Sequence, residues 1–365
     1  MKKISFVFGT RPEAIKLCPL INELKSRKIL QTEIIVSGQH REMLDGVLDG
    51  FGVVPDVNMN LMREGQSLSD ITERVLCEAS RLFKDSLPSL VLVHGDTTTA
   101  FAAALAAFYQ KIPIGHVEAG LRTYNLKEPF PEEFNRRLID TVASLHFAPT
   151  ESAKENLLRE GVEEKNIFVT GNTGIDALKS TVKENFSHPL TDIAKKKRVL
   201  LLTAHRRENI GEPLYNIYSA VRRIAEKYRE LCVICPVHKN PAVSKIACLE
   251  LGNTENIILC EPLELSVFHN LMARSYVILT DSGGIQEEAA ALGVPTLVLR
   301  NVTERPEGVR AGVLRAVGCD ADTVYNEFVS LYEDSEKYLK TARSSEVFGT
   351  GKASEKIADI LEKIL

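Results

Sequence analysis

The segment Asp281-Ser282-Gly283-Gly284-Ile285-Gln286-Glu287-Glu288-Ala289 lies between an apolar run at 276–280, which reads as a buried parallel strand, and a helical pattern over 285–292. Two glycines at a strand-to-helix turn leave backbone N–H groups bare at the positive end of a helix dipole. Such a turn suits a phosphate or diphosphate. Glu288, one turn in, could reach the hydroxyls of an attached ribose. The same glycines also fit a tight turn in which they only relieve steric strain.

Four cations stand near the ends of other predicted strands: Arg11 in Gly9-Thr10-Arg11-Pro12-Glu13, Lys16 one turn later, His205 in Ala204-His205-Arg206-Arg207-Glu208, and Arg305 in Thr303-Glu304-Arg305-Pro306-Glu307. Arginine forks and a lysine point charge could neutralise a diphosphate over Gly283 and Gly284. Acidic groups occupy further positions: Asp96 in His94-Gly95-Asp96, Glu118 in His116-Val117-Glu118, and Glu132 in Pro131-Glu132-Glu133-Phe134-Asn135-Arg136-Arg137. Carboxylates repel a diphosphate, so several of them point to proton transfer or to stabilisation of a developing cation. Taken singly, Asp96 or Glu118 fits a helix cap equally well. Mg²⁺ bridged between carboxylate and phosphate is the rival account. With four cations available for the phosphates, no metal is called for.

Other chemistries lack their patterns. No strand runs into G-x-G-x-x-G, so dinucleotide redox chemistry is not expected and no cofactor is assigned. There is no G-x-S-x-G elbow and no cysteine in an activating setting. His94, His116 and His146 lack ligand spacing and read as hydrogen-bonded structural residues. Cys232 and Cys235 lie three apart in an apolar run, where strand geometry sends them to opposite faces, so they read as core thiols.

The elements that must position these residues alternate almost from end to end. Predicted strands cover 4–8, 32–36, 90–93, 112–116, 145–148 and 167–170, then 199–203, 232–236, 257–259, 277–280 and 296–299; amphipathic segments between them include 13–27, 68–84, 132–143 and 213–228. Repeated βα usage implies parallel sheets covered by helices on both faces. Two doubly wound Rossmann-like domains are expected, at 1–175 and 176–351, with a helix over 352–365 that could pack back on the first or rest on the second. The polar stretch 183–197 reads as the boundary region. Ligands of such sheets bind beyond the carboxyl ends of the strands, where the candidate residues stand, which places the expected site in a cleft between the domains.

Bulk properties narrow the class. A chain of 365 residues suits two domains rather than one core. Its net charge of −4 argues against a nucleic-acid or membrane-surface binder, so anions must be held by local cations. The apolar run after Lys2 and Lys3 is too short for a signal peptide, and 100–109 is half a membrane span. Seven scattered cysteines fit a reducing compartment, so a cytoplasmic location is expected.

In order, and at family-like spacing, the following motifs resemble those of the non-hydrolysing UDP-N-acetylglucosamine 2-epimerases: Gly9-Thr10-Arg11-Pro12-Glu13-Ala14-Ile15-Lys16, Gly38-Gln39-His40, His94-Gly95-Asp96, His116-Val117-Glu118-Ala119-Gly120-Leu121-Arg122-Thr123, Pro131-Glu132-Glu133, Thr203-Ala204-His205-Arg206-Arg207-Glu208-Asn209, Asp281 through Glu288, and Thr303 through Glu307. The resemblance implies a GT-B-like α/β fold and epimerisation at C2 of UDP-N-acetylglucosamine without NAD, by loss and re-addition of UDP through a 2-acetamidoglucal. It further implies a cytoplasmic homodimer serving cell-surface polysaccharide synthesis. Carried over, Asp96, Glu118 and Glu132 are the catalytic carboxylates, with Arg136 near them and His205 assisting. Arg11, Lys16, His205, Ser282, Gly283, Gly284 and Arg305 contact the UDP, Glu288 the ribose and Phe268 the uracil. The carboxylates titrate as a coupled set, so acid and base roles are not divided among them.

Two departures stand out. Leu263 replaces a glutamine common before the uracil-pocket phenylalanine, and Gly65 replaces an arginine of the accessory UDP-N-acetylglucosamine site of some bacterial members. Gln39, Gln66 and Arg206 match that accessory site. Three alternatives stay open: a 2-epimerase of a related sugar such as a UDP-2,3-diacetamido uronic acid, a glycosyltransferase on the same scaffold, and a non-catalytic nucleotide-sugar sensor. The last would tolerate loss of Asp96, Glu118 or Glu132, and all three are present.

Overall fold

The structure, a computed structural model, describes residues 1–365 except 39, 40, 62, 64, 302 and 304, and describes only the backbone at 41–43 and 207. The chain forms two compact units, one of residues 1–177 with 349–365 and the other of 178–348.

In the first unit the strands are β1 (Lys3–Phe8), β2 (Gln31–Val36), β3 (Val57–Asn58), β4 (Leu90–His94), β5 (Ile114–Val117), β6 (Leu145–Ala148) and β7 (Ile167–Val169), in the order β3-β2-β1-β4-β5-β6-β7. Every pairing is parallel. Buried faces on both sides explain the continuous apolar runs. Ile4, Phe6, Phe8, Leu90 and Leu92 enter one core, and Val7, Val91 and Val93 enter another. That division is the two-residue alternation of a strand.

The second unit holds β8 (Val199–Thr203), β9 (Cys232–Pro236), β10 (Ile257–Cys260), β11 (Val277–Thr280), β12 (Thr296–Val298) and β13 (Leu314–Ala316), ordered β10-β9-β8-β11-β12-β13, again with parallel pairings. Cys235 packs in one core and Cys232 in the core on the other face, as their spacing predicts. Two doubly wound α/β units are therefore present. The polar stretch 183–197 lies inside the second unit: its helix Pro189–Ile193 rests Leu190 and Ile193 on a core of that unit.

Chain order reverses between β1 and β4 in the first sheet and between β8 and β11 in the second. These are the points where loops leave adjacent strands towards opposite faces and open a crevice. The motifs after β1, β4, β8 and β11 fall there. The turn after β1 enters helix Arg11–Arg27 through a capping box of Thr10 and Glu13, with Pro12 in the first turn. The turn after β4 enters helix Thr98–Tyr109, where the Thr97 hydroxyl accepts from the Ala100 N–H at 3.0 Å.

Candidate active site

Within the first unit, Asp96 follows β4 and Glu118 follows β5, and these strands are neighbours, with His94 paired to Val117. The Glu118 carboxylate lies over Gly95: a Cβ added at Gly95 would sit 3.7 Å from Glu118 Oε1. Two carboxylates are thus presented from adjacent strand ends. Glu118 itself is held in a left-handed backbone conformation, φ 69°. A non-glycine residue there is strained and persists only where its surroundings over-determine it.

Those surroundings are specific. Lys16 donates from its Nζ to Glu118 Oε2, and Asn172 Nδ2 donates to the same oxygen at 2.7 Å. The Asn172 Oδ1 in turn accepts from the Gly174 N–H at 2.8 Å, which fixes the amide's orientation. His94 is buried with its Nε2 3.8 Å from Glu118 Oε2, and burial pushes its pKa down to about 4, so it stays neutral. Asp96 accepts from the Arg136 guanidinium through Nε at 3.1 Å and also through an Nη, and Asn135 Nδ2 donates to the Asp96 carbonyl at 2.9 Å. Arg136 and Asn135 lie on helix Glu132–Val142, whose first residue, Glu132, is half-buried.

The fully buried Glu133 accepts from the Thr123 and Tyr124 N–H groups, each at 3.0 Å, and so ties the loop beyond Glu118 to that helix. Glu13 performs a comparable task at β1. It accepts from Gly9 N at 3.0 Å, Thr10 N at 2.8 Å and the Thr97 hydroxyl at 2.8 Å, joining the turns after β1 and β4. Burial raises its pKa against these lowering hydrogen bonds. Arg11 is partly buried in the first turn of its helix.

Within the second unit, Asp281 is fully buried at the end of β11 and organises the turn after β8. Its Oδ2 accepts from His205 N, Arg206 N and Asn209 Nδ2, all at 2.9 Å. His205 is thereby set at the carboxyl end of the sheet, its ring stacked on His238 with centroids 5.2 Å apart. Partial burial lowers the His205 pKa, with the Asp281 charge opposing.

Ser282 occupies the N-cap position of helix Gly283–Leu292 without a side-chain capping bond, and the helix begins two residues earlier than the hydrophobic pattern indicates. Gly283 sits against its neighbour: a Cβ there would meet the Arg305 guanidinium at 2.9 Å. Arg305 is buried and donates from Nε to Glu287 at 2.7 Å. Gly284 faces open space, with no atom within 4 Å of an added Cβ. Of the two glycines, Gly283 is buried and Gly284 half-buried. Glu288 lies 3.6 Å from His269 Nε2, and the Thr181 hydroxyl meets His269 Nδ1 at 2.6 Å. Phe268 and Leu263 are partly buried against the apolar core of the same face.

Of the accessory positions, Gln39 lies outside the described residues. Gln66 accepts from Arg63 N at 3.1 Å, and Arg206 is half-buried beside His205. Gly65 has φ 70°, a conformation that disfavours the arginine it replaces.

Several residues of this arrangement are missing from the sequence reading: Glu13, Asn135, Asn172 and His269, and Asp281 and Glu287 as organising groups. Each is polar and buried or half-buried, and adjacency to a motif is the only local signal any of them offers.

The chain is similar to known proteins along nearly its whole length. The family model described as UDP-N-acetylglucosamine 2-epimerase matches residues 22–362. A UDP-N-acetylglucosamine 2-epimerase of Bacillus subtilis is 51% identical over 359 residues, covering 98% of this chain and 94% of that one. The crystal structure of UDP-GlcNAc 2-epimerase from Neisseria meningitidis bound to UDP-GlcNAc superposes with a TM-score of 0.95 at 46% identity, covering 99% of this chain and 100% of that one. The S. aureus MnaA–UDP co-structure gives a TM-score of 0.94 at 46% identity, covering 100% of this chain and 97% of that one.

Proposed function

The chain belongs to the UDP-N-acetylglucosamine 2-epimerase family and is an epimerase, and from that premise we propose that it interconverts UDP-N-acetylglucosamine and UDP-N-acetylmannosamine by eliminating and re-adding UDP. The observation that carries the reading is the pair of carboxylates, Asp96 and Glu118, at adjacent strand ends, each held by a cation.

The C2 proton of the sugar is not next to a carbonyl. It becomes acidic only as the C1–O bond to UDP breaks and positive charge develops on the ring. Loss of UDP and of that proton gives a 2-acetamidoglucal. Return of a proton to the opposite face of C2, with UDP re-adding at C1, gives the epimer. The reaction needs acid/base groups serving both faces and a clamp that stabilises the leaving diphosphate.

In this reading Asp96, Glu118 and Glu132 form the acid/base set and Arg136 fixes Asp96. Arg11, Lys16, His205 and Arg305 stabilise UDP with the Ser282-Gly283-Gly284 turn, Glu288 accepts from the ribose, and Phe268 borders the uracil. No group outside the chain is assigned to the step. The same reading makes the enzyme a cytoplasmic homodimer; among the described residues no helix is long and apolar enough to cross a membrane.

The test is incubation of the purified chain with UDP-N-acetylglucosamine and, separately, with UDP-2,3-diacetamido uronic acid, followed by NMR. Conversion of the first to its manno epimer supports the proposal. Turnover of only the second moves the substrate assignment, and turnover of neither rejects it.

A further inference from the structure

A buried charged network lies beneath the two carboxylate-bearing turns. His116 of β5 and Asp140 of helix Glu132–Val142 are both buried, with His116 Nδ1 2.6 Å from Asp140 Oδ1. The other ring nitrogen, Nε2, is 2.7 Å from the Gly95 carbonyl. A carbonyl oxygen can only accept, so Nε2 carries a proton, and a carboxylate faces Nδ1. A second proton therefore lies between the imidazole and Asp140, making a charge-assisted bond. Burial opposes ionisation of Asp140, but the charges of His116 and Arg122 hold its pKa at about 2.

The other carboxylate oxygen, Asp140 Oδ2, accepts from the Gly120 N–H at 3.1 Å and from the Arg122 guanidinium at 2.7 Å. Arg122 closes the network on Glu160 with bonds of 2.9 and 2.7 Å. The two backbone groups so fixed are special. Gly95 immediately precedes Asp96, and Gly120 stands two residues after Glu118. Gly95, Glu118 and Gly120 have φ values of 63°, 69° and 84°. Gly120 is also jammed against the next helix, where a Cβ would meet the Ala153 carbonyl at 2.3 Å. One ion pair thus pins both turns, and neither member touches Asp96 or Glu118 directly in the described contacts.

We propose that His116 and Asp140 are positioning residues of the reaction, a buried pair that sets Asp96 and Glu118 in register with each other by holding the Gly95 carbonyl and the Gly120 N–H. The proposal rests on the reading of Asp96 and Glu118 as acid/base groups. Small displacements of such groups cost rate far more than binding, on the order of a hundredfold for about 1 Å.

The experiment uses the full chain with H116Q, whose amide can still donate to the Gly95 carbonyl, and D140N, which keeps shape but removes the charge. Steady-state epimerisation, UDP affinity by calorimetry and thermal midpoint are measured for each. The expected result is a loss of kcat of at least about tenfold in D140N, smaller in H116Q, with KM and UDP affinity within about threefold of wild type. Unchanged kcat in either folded variant would overturn the proposal. So would loss of kcat together with UDP binding in both, since that marks a purely structural role. E118Q, made alongside, tests the underlying reading: if it keeps full activity, the carboxylate assignment fails irrespective of the other two.

Discussion

Lys16 and Glu118, 102 residues apart in sequence, meet through a half-buried ion pair at the carboxyl edge of the first sheet. The lysine comes from the helix after β1 and the carboxylate from the end of β5. Glu118 is therefore a fixed acceptor, oriented by Lys16 and Asn172. Replacing it by glutamine should lower kcat by about 10² to 10⁴, the range for removal of a positioned acid or base. UDP affinity should change little. Equal losses of kcat and UDP affinity in E118Q would assign the residue to binding instead.

The two glycines of the second unit should respond differently to alanine. Gly283→Ala drives a methyl group into the Arg305 guanidinium, which must leave Glu287 or move the helix start. Its expected cost is about 1–3 kcal/mol of stability, with weaker UDP binding. Gly284→Ala meets nothing within the chain, so its thermal midpoint should stay near wild type while UDP affinity falls by about tenfold or more. Titration calorimetry and melting curves on the pair separate the roles. Unchanged UDP binding in G284A would remove the diphosphate from that turn.

His94 makes stability depend on pH. Its folded pKa of about 4 lies below the unfolded value near 6.5. Between those values the unfolded chain binds more protons than the folded one. The contribution is therefore complete above pH 6.5 and is lost as pH falls towards 4. At pH 5 the loss attributable to His94 is about 2 kcal/mol. Denaturant melts at pH 7.5 and pH 5 should show a gap in wild type that narrows by that amount in H94N. An equal gap in both proteins would refute this.

Glu288, backed by His269, should read the ribose. Wild type is expected to bind UDP more tightly than 2′-deoxy-UDP by about tenfold, the scale of one hydrogen bond to a charged acceptor. Glu288→Gln should erase most of that preference. A preference unchanged in E288Q would place the ribose elsewhere.

Much of this architecture is legible in sequence because parallel strands buried on both faces read as unbroken apolar runs. The elements missed are those that offer no such run. β3 has only two residues, and in β13 only Leu314 is buried while Arg315 and Ala316 face solvent. The candidate site was legible as residue types at strand ends, since turns after parallel strands are where ligands bind. Its partners were not. Nothing local pairs Arg305 with Glu287, brings Asn172 to Glu118, or sets His269 beside Glu288, because those choices are made by the packing of helices distant in sequence. His116 reads correctly as a hydrogen-bonded structural histidine, but its acceptor, the Gly95 carbonyl, emerges only from the pairing of β4 with β5.

The central claim is that the C2 proton is removed and replaced by groups of this chain as UDP leaves and returns. Its most direct measurement is proton NMR of UDP-N-acetylglucosamine incubated with the enzyme in D₂O. The account predicts the manno epimer carrying deuterium at C2. Epimer formed with its C2 hydrogen retained, or bound substrate showing neither epimer nor exchange, would contradict it.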